Sequence, residues 1–553
     1  MFSFVRLVLK PTTLFLLFYP LLDLLVAIYP PLGLVGYGWL LCVYLLVFIV
    51  AGRTFGALVR QAREERAWWT VGTVVVWWLF ILAAAFSERL LSDENIFEVG
   101  CPQKAFLGTV DFGFLDQCFI GYPTRSYVLQ ALPVLLFGFS PCMANLGASL
   151  LLFPGIVLLA QAIRIVTQRA RTSDFITGLA MLLLFQCALF IRIIYYHDQT
   201  TQPVALTIIF MGLIALWLER SDRLAFFSLL ALVLVSTSMY PPILSVLCLL
   251  GALGLWMAVR RKLPPQSPGP LLVTAVLAAV CFAQTFAYRL DMRLSVDPKT
   301  VGNVSDRLWE LATFIALQSN GRWYAAVPFQ ILFLIFLVAG LLGRFGSLVF
   351  YFCVWSVALV LVSFFASGMS PELSWYMMTG MHRSAPIFPL FVLLAALGLS
   401  KRIELYRLST RAMALLLLCV VGPAVWTVYR LPIPDHPPLS FRVWQLAQRV
   451  TPPGIRPEPT LITRHDIPAL GELPKHYLYL NPDRTFEHYA GSCLPQRPVP
   501  RYTLVVTKDD ELCQQQRSRE GFEEVAAWGE LIDGEWKFNA ETIRVYRATL
   551  RTQ

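Results

Sequence analysis

Between Trp69 and Phe86 the chain runs without a single ionisable residue, and similar runs recur along its length, separated by short groups of arginine and lysine. A segment of about 20 apolar residues satisfies its backbone polar groups in hydrocarbon only as a helix, and such a helix is long enough to cross a bilayer. Of 553 residues, 57% are hydrophobic and 14% charged, and the mean hydropathy is +0.62. Too little polar surface remains for a soluble globule, so the chain reads as a polytopic α-helical membrane protein. The formal net charge of +10 does not indicate nucleic acid, because the basic residues sit in short clusters between apolar runs, as in cytoplasmic loops.

Spans of this length predict about thirteen transmembrane helices. They fall near 11–29, 33–52, 68–87, 142–165, 174–191, 203–218, 224–240, 243–259, 270–288, 325–342, 346–366, 385–400 and 412–429. With that number, all the main basic clusters share one side: Arg6 and Lys10; Arg53, Arg60, Arg63 and Arg66; Arg164, Arg169 and Arg171; Arg220 and Arg223; Arg260, Arg261 and Lys262; Arg344; and Lys401, Arg402, Arg407 and Arg411. That side is expected to be the cytoplasm. The other, external side receives the loop at 88–141, the Tyr196–Gln202 turn, the Tyr240-Pro241-Pro242 turn, the loop at 289–324, the segment 367–384 and everything after 430.

The first apolar stretch is too long, and too closely followed by a second, to be a cleaved signal peptide, so it is expected to be retained. Asp23 is the ionisable residue nearest the middle of a predicted span, and a charge there needs a partner, a cavity or access to the interface. Reaching the outer interface is the expectation here.

The cysteines test the sidedness. Cys42, Cys187, Cys248, Cys281, Cys353 and Cys419 lie within apolar spans and Cys142 at a span edge, where a thiol behaves as a small hydrophobe. The remaining four form two pairs in external segments, Cys101 with Cys118 and Cys493 with Cys513. An oxidising compartment would close both as disulfides, each worth about 3 kcal/mol for loops of roughly this length.

A compositional boundary near Arg430 separates a membrane domain, 1–429, from a tail, 430–553. After a proline-rich stretch the tail has a helical pattern at 440–450, strand-like runs at 459–463, 502–506 and 542–546, and an amphipathic stretch near 514–527. This predicts a small extracytoplasmic α/β domain.

The loop at 88–141 holds the most informative motifs. It opens with Ser92-Asp93-Glu94-Asn95-Ile96-Phe97-Glu98, passes through the two cysteines, continues as Gly121-Tyr122-Pro123-Thr124-Arg125-Ser126-Tyr127 into an apolar helix pattern, and ends at Phe137-Gly138-Phe139-Ser140. An acidic pair after a membrane helix, a Tyr-Pro-containing amphipathic helix and a Phe-Gly-x-Ser turn resemble the C-type glycosyltransferase superfamily, which includes protein O-mannosyltransferases and the lipid A aminoarabinose transferase. Further along, Arg192-Ile193-Ile194-Tyr195-Tyr196-His197-Asp198 looks like the family's second external turn, Tyr240-Pro241-Pro242 like a short later turn, and His382-Arg383-Ser384-Ala385-Pro386 like the entry to a late helix. A terminal periplasmic α/β domain is common in bacterial members. This chain departs from the family in carrying two spans ahead of the helix that precedes the acidic pair, which look like an N-terminal addition, and in the His before Asp198.

The resemblance implies transfer of a sugar from a polyprenyl-phosphate donor to an acceptor on the external face of the plasma (inner) membrane. The acceptor would be a lipid-linked or surface glycan, or a protein. A carboxylate must accept the acceptor's proton, and partial burial at the membrane surface raises its pKa toward the working pH. Asp93 is the first choice as base, with Glu94 as alternative or orienting partner and Asp198 facing the same site. The departing lipid phosphate calls for cationic donors, best supplied by arginine. The external candidates are Arg192, Arg289, Arg293, Arg322 and Arg383, with His197 and His382 as weaker donors. No cofactor is required, and a divalent metal at Asp93, Glu94 and Asp198 is conceivable but unrequired.

Two other classes fit less well. A secondary transporter needs ionisable groups or broken helices at mid-membrane depth, whereas the polar residues here gather at one face. An O-antigen ligase or polymerase would place its essential arginines and histidine in a large late loop, which 367–384 is too short to be.

Overall fold

The computed structural model describes residues 11–86, 125, 128–137, 141–167, 172–187, 190–191, 193–194, 201–237, 242–260, 264, 268–289, 327–342, 346–366, 386–406, 409–429 and 446, and in the tail 461–464, 486–489, 494, 499, 503–508, 521–528, 530–532, 535–537 and 543–549. They fall into two compact units, one of helices and one built on a sheet.

The helical unit comprises α1 (Pro11–Ile28), α2 (Gly33–Glu65), α3 (Trp69–Ala85), α4 (Val128–Phe137), α5 (Pro141–Ser149), α6 (Leu152–Thr167), α7 (Ser173–Leu183), α8 (Thr201–Arg220), α9 (Arg223–Ser236), α10 (Pro242–Arg260), α11 (Pro268–Arg289), α12 (Val327–Leu341), α13 (Ser347–Ala366), α14 (Ile387–Tyr406) and α15 (Thr410–Tyr429). Among the described residues, three helical stretches are long and apolar enough to cross a membrane, Pro30–Glu65, Cys142–Thr167 and Thr201–Arg220, and nine shorter helices are apolar. Several are apolar on every face. In α1, Leu16, Tyr19 and Leu22 are buried while Leu21, Leu24 and Ile28 are exposed, a pattern that suits a lipid surround and not water.

One boundary differs from the sequence reading. The second apolar run was expected to end near residue 52, yet α2 continues to Glu65 and carries Arg53, Arg60 and Arg63 on helix. Leucine, arginine, glutamine, glutamate and alanine all favour the helix, so hydrogen bonding continues past the end of the apolar stretch. It stops where Arg66 turns left-handed at φ 52°.

The core is close-packed around aromatic anchors. Trp77 of α3 is fully buried, stacks on Phe185 at 3.9 Å between ring centroids and donates its indole N–H to the Met181 carbonyl of α7 at 3.0 Å. Trp78 donates to the Phe153 carbonyl of α6 at 3.0 Å. Glycine sets the tightest approach: a Cβ at Gly398 of α14 would collide with the Phe336 carbonyl oxygen of α12, and one at Gly340 of α12 with the Leu394 carbonyl oxygen. Small residues that let backbones touch are a feature of helix packing in membranes.

In the tail, five strands form a mixed sheet in the order β2 (Phe486–Tyr489), β1 (Leu461–Arg464), β3 (Leu504–Lys508), β7 (Ile543–Ala548), β4 (Phe522–Trp528), and β5 (Glu530–Ile532) pairs with β6 (Glu535–Lys537). β1 is parallel to β2 and β3, and β7 is antiparallel to β3 and β4. Val505, Tyr546, Ala548, Leu494 and Val499 form its core. The end of the amphipathic stretch near 514–527 is strand β4, held to β7 by Glu523–Arg547 at 2.6 Å and Glu524–Arg544 at 2.7 Å across the sheet. Cross-strand partners decide that segment, and its own periodicity does not reveal them.

Candidate functional site

Chain direction sorts the helix ends. Trp69 meets Asp174 and Trp77 meets Met181, so α3 and α7 run the same way, while Trp78 against Phe153 sets α6 opposite. One end of the bundle therefore gathers the start of α3, the end of α6 and the start of α7. The other gathers the end of α3, the start of α5 and the segments leading into them.

At the first end, Arg164 of α6 is buried between two carboxylates, Asp174 of α7 at 3.2 Å and Glu65 of α2 at 2.8 Å. Asp174 also accepts from the Trp69 and Thr70 backbone N–H groups at 2.8 and 3.3 Å, capping the start of α3. The carboxylate thus serves as a helix cap supplied from another helix. A cavity of about 770 Å³ opens here, lined by Glu65, Trp69, Arg164, Asp174, Arg220 and Leu417 among others. Its charges largely cancel: one buried arginine is shared by two carboxylates and Arg220 supplies the second cation.

At the opposite end α3 terminates at Phe86, whose N–H closes onto the Leu82 carbonyl at 2.8 Å, just before the acidic pair in sequence. The loop returns at Arg125, followed by α4, whose Val128, Leu129 and Ala131 are buried. A Cβ at Gly147 of α5 would collide with the Gln130 backbone, so α4 lies directly on α5. On either side of residues 195–200, the Thr201 hydroxyl donates to the Ile193 carbonyl at 3.1 Å, and Ile193, Ile194 and Thr201 are buried. At the entry to α14, Ile387 and Phe388 are fully packed.

The side chains proposed for chemistry lie outside the described residues: Asp93, Glu94, Asp198, Arg192, His197, Arg322, His382 and Arg383, together with Arg293 and the paired cysteines Cys101, Cys118, Cys493 and Cys513. Arg289 ends α11. Among the described residues no group of three or more His, Cys, Asp or Glu could hold a metal ion.

Asp23 corrects an expectation. It finds a buried partner in place of solvent: its carboxylate is 5% exposed and pairs with the guanidinium of Arg125, 3% exposed, across 102 residues of sequence. Arg125 also lies 5.1 Å over the ring of Tyr19. A guanidinium is charged at any working pH, and Asp23 supplies its counter-charge in the interior. The signal was present in the sequence as a carboxylate within a span, which is costly in hydrocarbon without a partner. The partner was not visible, because Arg125 reads as one more residue of a polar loop.

No protein-family model and no curated protein matches the sequence. Solved structures do. The chain shares its fold with ArnT, a C-type glycosyltransferase. ArnT from Cupriavidus metallidurans superposes with a TM-score of 0.52 both in the apo state and bound to undecaprenyl phosphate, at 14% identity, covering 86% of this chain and 97% or 98% of the other. An oligosaccharyltransferase from Archaeoglobus fulgidus in the apo form aligns at a TM-score of 0.42 and 12% identity, over 86% of this chain and 76% of that one.

Proposed function

We propose that this chain is an integral-membrane glycosyltransferase that moves a sugar from a polyprenyl-phosphate donor to an acceptor at the membrane surface. The observation carrying this reading is a fold shared with ArnT over 86% of the chain, one such ArnT structure holding undecaprenyl phosphate. The acidic loop supports it, since Asp93-Glu94 follows within a few residues the helix end at Phe86.

In the proposed reaction the acceptor hydroxyl oxygen bonds to the sugar's anomeric carbon as the bond from that carbon to the phosphate oxygen breaks. Asp93 takes the hydroxyl proton, with Glu94 as the alternative base or its orienting partner and Asp198 on the same site. Polyprenyl phosphate leaves with the bonding electrons, its growing charge met by arginines drawn from Arg192, Arg322 and Arg383 with His197 and His382. The chemistry needs no cofactor.

By the positive-inside rule, the end of the bundle carrying Arg60, Arg63, Arg164 and Arg220 faces the cytoplasm, and the acidic loop and the tail face outward. About thirteen spans and an extracytoplasmic α/β domain from residue 430, in a plasma membrane and with disulfides Cys101–Cys118 and Cys493–Cys513, complete this reading.

The test is transfer activity of Asp93→Asn and Glu94→Gln in membranes supplied with a panel of undecaprenyl-phosphate sugars. A loss of about a hundredfold or more in kcat for one of them is expected. Parent-like activity in both removes the acidic pair from the mechanism.

A further inference from the structure

Arg125, which follows the acidic loop in sequence, is paired with a helix that precedes that loop by two spans. Asp23 sits near the C-terminal end of α1, and its Oδ1 holds the Arg125 guanidinium. The other Asp23 oxygen is buried and has no donor among the described residues, so the carboxylate's pairing is concentrated on Arg125. Tyr19, one turn earlier on α1, lies under the same guanidinium and stacks on Trp39 of α2 at 4.7 Å. α9 and α11 pack against α1 and against each other. Arg125 is therefore held from α1, with α2, α9 and α11 packed around that helix.

Three residues further on, Val128 opens α4, which is seated on Gly147 of α5. Arg125 and α4 are thus fixed in the bundle by a buried ion pair and a close helix contact. Neither charge of the pair is accessible to a substrate, since both side chains are at least 95% buried.

Resting on the transferase reading above, we infer that Asp23 and Arg125 are positioning residues: their pairing holds the returning limb of the acidic loop against the bundle, which makes the N-terminal helix a working part of the enzyme. The loop then reaches the reaction in one geometry, and displacement by the length of a methylene group weakens the chemical step more than donor binding. Misplacement of about 1 Å commonly costs one to two orders of magnitude in rate.

The test uses the full chain in lipid nanodiscs, with the undecaprenyl-phosphate sugar that supports turnover. Asp23→Glu keeps both charges and shifts their separation, Asp23→Asn removes one charge, and Asp93→Asn and Glu94→Gln report on the reading itself. The expected result for Asp23→Glu is a fall in kcat of about tenfold or more, with less than about a threefold change in KM for the donor and an unaltered folded fraction. Parent kcat per folded protein in Asp23→Glu overturns the inference. So does a raised KM with kcat unchanged, which would put the pair in donor binding, or a loss that merely tracks the folded fraction. Should Asp23→Asn not fold, Asp23→Glu decides alone. Parent-like activity in both Asp93→Asn and Glu94→Gln defeats the proposed mechanism whatever Asp23→Glu does. Loss of activity in either of them beside a fully active Asp23→Glu defeats only the positioning role.

Discussion

Arg164 and Asp174 meet at 3.2 Å inside the bundle, on consecutive helices, and the same Asp174 carboxylate caps the first residues of α3. One side chain thus ties α6, α7 and α3 together at a single point, while Glu65 of α2 adds a second ion partner to Arg164 from a half-exposed position.

Replacing Asp174 with alanine leaves Arg164 buried with only Glu65 to balance it and uncaps the Trp69 and Thr70 amides. Breaking a buried pair in this way costs about 3–5 kcal/mol, whereas Glu65→Gln, at an exposed partner, costs under about 1 kcal/mol. Unfolding followed by tryptophan fluorescence in detergent should separate the two variants clearly. Equal stability losses would contradict the arrangement.

Gly398 and Gly254 make a matched comparison. At Gly398 a Cβ runs into the backbone of α12, while at Gly254 nothing lies within 4 Å of the added carbon. Gly398→Ala is expected to force α12 and α14 apart and lower the melting temperature by several degrees, from a cost of about 1–3 kcal/mol. Gly254→Ala is expected to be neutral or stabilising by up to about 1 kcal/mol through helix propensity.

The buried pair Asp23–Arg125 also has a stability signature distinct from its effect on turnover. Asp23→Ala strands the guanidinium in the interior, at about 3–5 kcal/mol. The double change Asp23→Leu with Arg125→Met removes both charges, and apolar replacements of similar volume are commonly near neutral. A double variant no more stable than the single one would mean that the pair's geometry, and not merely its charge balance, supports the fold.

Among the described residues, seven cysteines form no disulfide, Cys42, Cys142, Cys187, Cys248, Cys281, Cys353 and Cys419. The chain has 11 cysteines in all, and the four others are those proposed to form the two external disulfides. Alkylation of the denatured chain without reductant should therefore add seven labels by intact mass, rising to eleven after reduction. Eleven labels before reduction would rule out both bonds.

The helices were legible because the requirement behind them is local. Each run such as Trp69–Phe86 must satisfy its own amides, whatever its neighbours are. The strands β1, β3 and β7 were legible within a few residues from short apolar and β-branched runs. β4 was not, since its pairing with β7 depends on cross-strand glutamate–arginine contacts that its own sequence does not announce. Asp23 was read as an interfacial charge for the same reason.

From its sequence alone this protein was determined to be a stack of apolar helices with its acidic loop and its tail set apart, because transfer of apolar surface out of water depends on composition and spacing along the chain. Tertiary structure alone decided that Asp23 would meet Arg125 102 residues away and that Asp174 would cap a helix it does not belong to. A buried charge takes whichever partner the packing brings within hydrogen-bond reach, and sequence distance does not enter that choice.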